Sequence, residues 1–268
     1  MRIIGLGHGL FAIAAASLAI LSLTYGGQSF PAWIPWRETV VYASALVVLA
    51  ASTGLCFSRT ALLSALTIGA YRAVLAVINV PPILAKPLRV VSWYGFCEAL
   101  TSLLGAWILY AMLRWQSRGS EMPIASERAV RAARVLFGLT CVFYGWSHFA
   151  YADYTASMVP TWLPGRLGFA YFTGLGHIAA GIGIMIGILP RLAATLEAIM
   201  MSLFGLLVWV PSLLAQPRPK WAGTPQNQWS ELLVTLLLAA SAWIVADSLR
   251  SRRWGFASAA HYPPRTTI

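Results

Sequence analysis

Three ionisable side chains, His148, His177 and Glu197, lie in a stretch, residues 143–201, that is otherwise apolar enough to enter a bilayer. Ionisable groups at such depth are costly and face a protein interior or a cavity, so they are the first place to look for chemistry. An imidazole there can exchange protons, bond a carbonyl oxygen or ligate a metal. Helical rise puts His148 roughly 20 Å and His177 roughly 15 Å from the inner membrane surface, close enough in height to share one pocket in the outer half. Such a pocket suits a flat lipophilic molecule: a quinone with one histidine on each carbonyl oxygen, or a haem with two imidazole ligands. Tyr154, Trp162 and Tyr171 lie at or above that level as candidate lining residues, with Glu231 as a candidate proton route. Glu197 sits nearer the inner face, just before Met200 and Met201, and reads as paired or snorkelling. Each histidine also has a purely structural reading, as an interhelical hydrogen bond of about 0.6 to 2 kcal/mol.

A second set of charges lies earlier in the chain. Arg72 falls roughly 18 Å above the inner boundary and Glu98 roughly 10 Å below the outer one, so in a core about 30 Å thick they can meet as a structural ion pair. Leaving either alone in lipid would be the costly alternative. The three cysteines, Cys56, Cys97 and Cys141, share no C-x-x-C spacing, and neither a disulfide framework nor a zinc site follows from them. No nucleophile triad, Walker loop or H-E-x-x-H pattern occurs.

The elements that must position these groups are membrane helices. Of 268 residues, 59% are hydrophobic and 10% charged, and the mean hydropathy is +0.70; soluble domains carry about 25% charged residues. The expected fold is all-α: eight transmembrane helices, at about 1–24, 39–57, 61–80, 90–113, 135–151, 167–189, 192–210 and 229–249, forming two tandem four-helix bundles. The expected division is a first membrane unit at 1–115, a cytoplasmic basic linker at 116–134, a second membrane unit with the site at 135–250, and a basic cytoplasmic tail at 251–268. Residues 1–24 read as a retained span rather than a cleaved signal peptide. The net charge of +11 comes mostly from arginines at segment ends, which argues for anionic lipid as the partner and against nucleic acid. With both termini cytoplasmic in a bacterial inner membrane, Arg59, Arg114, Arg128, Arg131, Arg134, Arg191 and the basic tail lie inside. Arg37, Lys86, Arg89, Arg166, Arg218 and Lys220 fall outside.

The two halves share landmarks in one order. F-P-A-W-I-P-W-R at 30–37 matches V-P-T-W-L-P-G-R at 159–166, Arg59 matches Arg191, Pro81 to Pro87 match Pro211 to Pro217, and Glu98 can be set on Glu231. The reading is a parallel duplication whose second copy keeps the polar site, the first supplying a lateral wall.

At G-L-G-H-I-A-A-G, residues 174–181, followed by P-R-L-A-A at 190–194, the second half resembles the DoxX-like family of four-span bacterial membrane proteins. That family's pattern is P-x-x-L-P in the outer loop, G-x-x-E-x-x-x-G in the second span and an arginine with small residues opening the third. Pro160 to Pro164, Gly174 to Gly181 and Arg191 to Ala194 correspond, with His177 where the family has glutamate. The resemblance implies a four-helix bundle twice over, and quinone or sulfur redox chemistry. Three functional classes follow: membrane-linked electron or proton transfer at His148, His177 and Glu231; a non-catalytic subunit or scaffold docking a membrane or periplasmic partner; and a small-solute transporter, which the duplication suggests but for which no broken helix is expected in either half.

Overall fold

The structure, a computed structural model, describes residues 4–26, 30–31, 33–118 and 124–250. The basic tail and residues 119–123 of the linker lie outside the described residues. What is described is helical: α1 (Leu6–Tyr25), α2 (Arg37–Gly54), α3 (Ala61–Ile78), α4 (Val80–Ala85), α5 (Tyr94–Arg118), α6 (Ile124–Ala150), α7 (Ala152–Met158), α8 (Arg166–Ile186), α9 (Pro190–Phe204), α10 (Val210–Leu214) and α11 (Pro225–Ser248).

Six segments are long and apolar enough to cross a membrane: Leu6–Tyr25, Ala61–Ala85, Val90–Ser117, Arg166–Ile186, Pro190–Leu214 and Pro225–Ser248. The eight-span expectation included α2 and α6 as well. By composition both fall short, α2 because it opens on Arg37 and Glu38 and carries several hydroxyl residues, α6 because its first turns hold Glu127, Arg128, Arg131 and Arg134. The linker expected at 116–134 is largely helix, since α5 runs on to Arg118 and α6 starts at Ile124.

Two further expectations meet a different outcome. The third span does not stop at Pro81 and Pro82: those prolines fall in the first turn of α4, where no amide hydrogen is needed. The seventh span is not a plain α-helix either. Residues Gly205–Trp209 form a π-helical turn closed by the Val210 amide on the Gly205 carbonyl, immediately before Pro211, which has no amide hydrogen to continue the α-ladder. The third helix of each half is therefore interrupted near the same end.

Helix α11 is the central post, its span 67% buried against α1, α5 and α9. Gly105 on α5 meets Ser241 of α11, and Gly7 on α1 meets the backbone of Ile244, so small residues let these axes approach closely. The Gly7 amide donates to the Asp247 carboxylate at 3.2 Å, which ties the first helix to the last. Helix α1 packs on α2 and α11, and α6 packs on α8 and α5; α3 lies between α2 and α5 as α9 lies between α8 and α11.

Candidate functional site

One face of α6 carries Phe137, Cys141, Tyr144 and His148, spaced by four, three and four residues, and those first three are buried. One face of α8 carries Ala170, Gly174, His177, Gly181 and Ile184, all buried. The helices cross antiparallel through paired glycines. A Cβ on Gly145 would strike the Gly174 carbonyl at 2.5 Å, and one on Gly138 the Gly181 carbonyl at 2.6 Å. A Cβ on Gly174 would also strike the Cβ of His148 at 2.9 Å, so the glycine is what lets that histidine lie against α8.

Helix α8 ends on Gly187, in the left-handed region at φ 78°, and α9 starts with Pro190 in its first turn. Gly past the end of one helix and Pro opening the next make a short turn. His177 and Glu197 each lie ten residues from Gly187, so the hairpin brings them to one height. The His177 Nδ1 and Glu197 Oε1 atoms are 2.8 Å apart, with the side chains 1% and 2% exposed. One proton lies between them. Glu197 Oε2 has no hydrogen-bond partner among the described residues, and the Cys141 thiol lies beside the carboxyl group.

The ring of His148 meets that of His177 edge to face, with centroids 5.1 Å apart. Thr173 turns its hydroxyl hydrogen back to Phe169 or Ala170 in its own helix. Its oxygen therefore accepts, at 2.9 Å, from His148 Nδ1, which also lies 3.3 Å from the Ala170 carbonyl. Both partners being acceptors, Nδ1 of His148 carries the hydrogen and Nε2 keeps its lone pair. Among the described residues no hydrogen bond reaches Nε2 of either ring. Phe204 packs on both imidazoles, at 5.9 and 5.7 Å, and Tyr144 on His177 at 6.1 Å. The Tyr144 hydroxyl bonds Thr101 of α5 at 3.0 Å, a contact between the two halves.

The two histidines thus come together, but their direct contact changes what they can do. A porphyrin with two axial imidazoles needs its plane between them, and edge-to-face rings leave no such plane, so a bis-histidine haem does not fit. A quinone bridging the two rings, one oxygen on each, does not fit either. The arrangement suits proton exchange between the Glu197 carboxyl and the His177 imidazole, with the His148 ring packed beside them and joined to them by no hydrogen bond.

The other expected residues divide. Tyr171 stacks on Phe149 with centroids 5.5 Å apart, one residue from His148. Tyr154 instead donates to the Trp221 carbonyl at 3.3 Å; burial, and then the neighbouring Glu231 carboxyl, push its phenol above the ordinary value. Glu231 lies near enough to Glu98 for the two carboxyls to repel, and it makes no hydrogen bond to either imidazole among the described residues. Trp162 stands 69% exposed on its loop.

The expected ion pair of Arg72 and Glu98 does not close. No contact of 4.0 Å or less joins them among the described residues, and Arg72 Nε, though buried, has no hydrogen-bond partner. The guanidinium lies over the ring of Tyr71 at 5.5 Å, and the Glu98 carboxyl is attracted by Arg72 and repelled by Glu231. Sequence reasoning undervalued Glu197, Cys141, Tyr144 and Phe204; for Glu197 the signal was its equal distance from the turn.

Residues 129–210 match the DoxX family profile, a segment that spans both histidines, Glu197 and the π-helical turn. Over that segment, about a third of the chain, the protein is similar to the DoxX family. No curated protein and no solved structure matches the chain. That similarity and the six apolar helices together mark a multi-pass membrane protein.

Proposed function

We propose that this membrane protein, similar in part to the DoxX family, handles protons for membrane-linked redox chemistry, through the Glu197–His177 pair and the adjoining His148, which serve a quinone-class molecule. The observation that carries the reading is the buried 2.8 Å contact of His177 with Glu197, joined edge to face by a half-buried His148 whose Nε2 is open. A quinol hydroxyl meeting that nitrogen, beside Phe149 and Tyr171, would donate a hydrogen bond to His148 Nε2. Glu231, with Tyr154 and Glu98, would serve as a separate proton entry at the outer surface.

The architecture proposed with it is eight spans in two tandem four-helix units, 1–115 and 135–250, joined by the basic segment 116–134 and followed by the tail 251–268. The matched packing of α1 on α11 and α6 on α5 supports the duplication. Arginines crowd the end where α1 starts and α11 finishes, which supports cytoplasmic termini in an inner membrane. There α2 and α6 cross as well, turning Leu46, Val47, Leu139 and Trp146 outward.

The test is titration of the nanodisc-embedded protein with decylubiquinone, followed by tryptophan quenching and by NMR of labelled histidines. Saturable binding that moves the His148 signals and disappears in His148→Ala is expected. If no quinone binds, and a co-purifying partner keeps full activity when both histidines are alanine, the protein is a scaffold subunit instead.

A further inference from the structure

A second site lies outside the imidazole cluster, where α10 turns back towards α11. A cleft of about 560 Å³ opens there, walled by Leu213, Leu214, Trp229 and Leu232, with Arg218 and Gln228 among its lining residues. Leu214 is 77% and Trp229 42% exposed, so the walls face the surroundings that the membrane fills. Gln228 is 1% exposed. Its amide nitrogen donates to the Ser212 carbonyl at 2.9 Å, which fixes the orientation of the amide, because a carbonyl can only accept. The Gln228 side-chain oxygen is left without a hydrogen-bond partner among the described residues. Arg218 has no ion-pair partner among them either, and no carboxylate lines the cleft.

We infer that this cleft binds an anionic phospholipid with a hydroxylated headgroup. Its acyl chain lies along the leucines and Trp229, its phosphate meets Arg218, and a headgroup hydroxyl donates to the Gln228 oxygen. Charge complementarity selects the anion, since a guanidinium with no acid beside it attracts phosphate. The open acceptor selects the hydroxyl, since a donor that meets it gains a hydrogen bond. The inference does not depend on the Glu197–His177 pair.

Native mass spectrometry of protein released from nanodiscs of phosphatidylglycerol mixed with phosphatidylcholine tests it. One phosphatidylglycerol is expected to stay bound in preference to phosphatidylcholine. Arg218→Gln should weaken that preference about fivefold, and Gln228→Leu should weaken it while sparing a headgroup that lacks hydroxyls. Arg166→Gln, at another exposed arginine of the same end, should leave it unchanged. Equal retention of the two lipids, equal loss in the Arg166 and Arg218 variants, or displacement of the bound lipid by decylubiquinone would overturn the inference.

Discussion

Each half of the molecule buries a titratable pair between its helices, yet only one pair closes. In the second half, His177 and Glu197 stand on two helices joined by a short turn and meet at 2.8 Å. In the first, Arg72 and Glu98 stand on α3 and α5, with α4 and a loop between, and Arg72 is buried with no hydrogen bond among the described residues. A tight hairpin fixes relative height; a long connection leaves it to packing. Depth alone is therefore a poor guide to pairing, whereas equal distance from a turn is a good one.

The contrast can be broken experimentally, and the largest effect should come from the closed pair. His177→Leu leaves Glu197 buried with no partner and is expected to cost about 3–5 kcal/mol in reversible unfolding from detergent. The double variant His177→Leu, Glu197→Leu should regain most of that, because an apolar pair needs no desolvation to be repaid; a double variant as weak as the single would mean the two side chains do not act as a unit. Gly174→Leu comes next, at about 1–3 kcal/mol, since it pushes α6 off α8. It should also separate the histidine rings, visible as loss of their mutual NMR contacts. Arg72→Leu is expected to be neutral or slightly stabilising in the same unfolding assay. A loss comparable to that of His177→Leu would show that Arg72 is paired after all. Asp247→Asn, which removes the carboxylate held by Arg250 at 2.7 Å at the start of α1, is expected to lose under about 1 kcal/mol, since the arginine of the pair is exposed.

Much of this was legible in the sequence. Composition alone marks a membrane protein, and the landmarks at 159–194 lead to the similarity with the DoxX family. The histidine pair was found because polar side chains are conspicuous in apolar runs. Its chemistry was misjudged because helical rise gives height but not rotation: it brought the two rings to one level without revealing that they touch. Rotation was in principle readable from the faces Cys141, Tyr144, His148 and Gly174, His177, Gly181, whose glycines allow an approach too close for a cofactor between the rings. Glu197 was set aside by counting from the membrane surface, when counting from Gly187 puts it level with His177. The interruption at 205–209 follows from Pro211, a residue that was noted only as a repeat landmark.

The central claim is that Glu197 and His177 share a proton and that His148, packed against them, senses that pair. Solid-state NMR of the protein in lipid bilayers, with labelled histidine and glutamate, tests it most directly. The account expects a through-space contact between the Glu197 carboxyl carbon and His177 Nδ1, His148 in its Nδ1-protonated form, and a shift of both ring signals in Glu197→Gln. Two histidines that titrate independently, and are unmoved by Glu197→Gln, would contradict it.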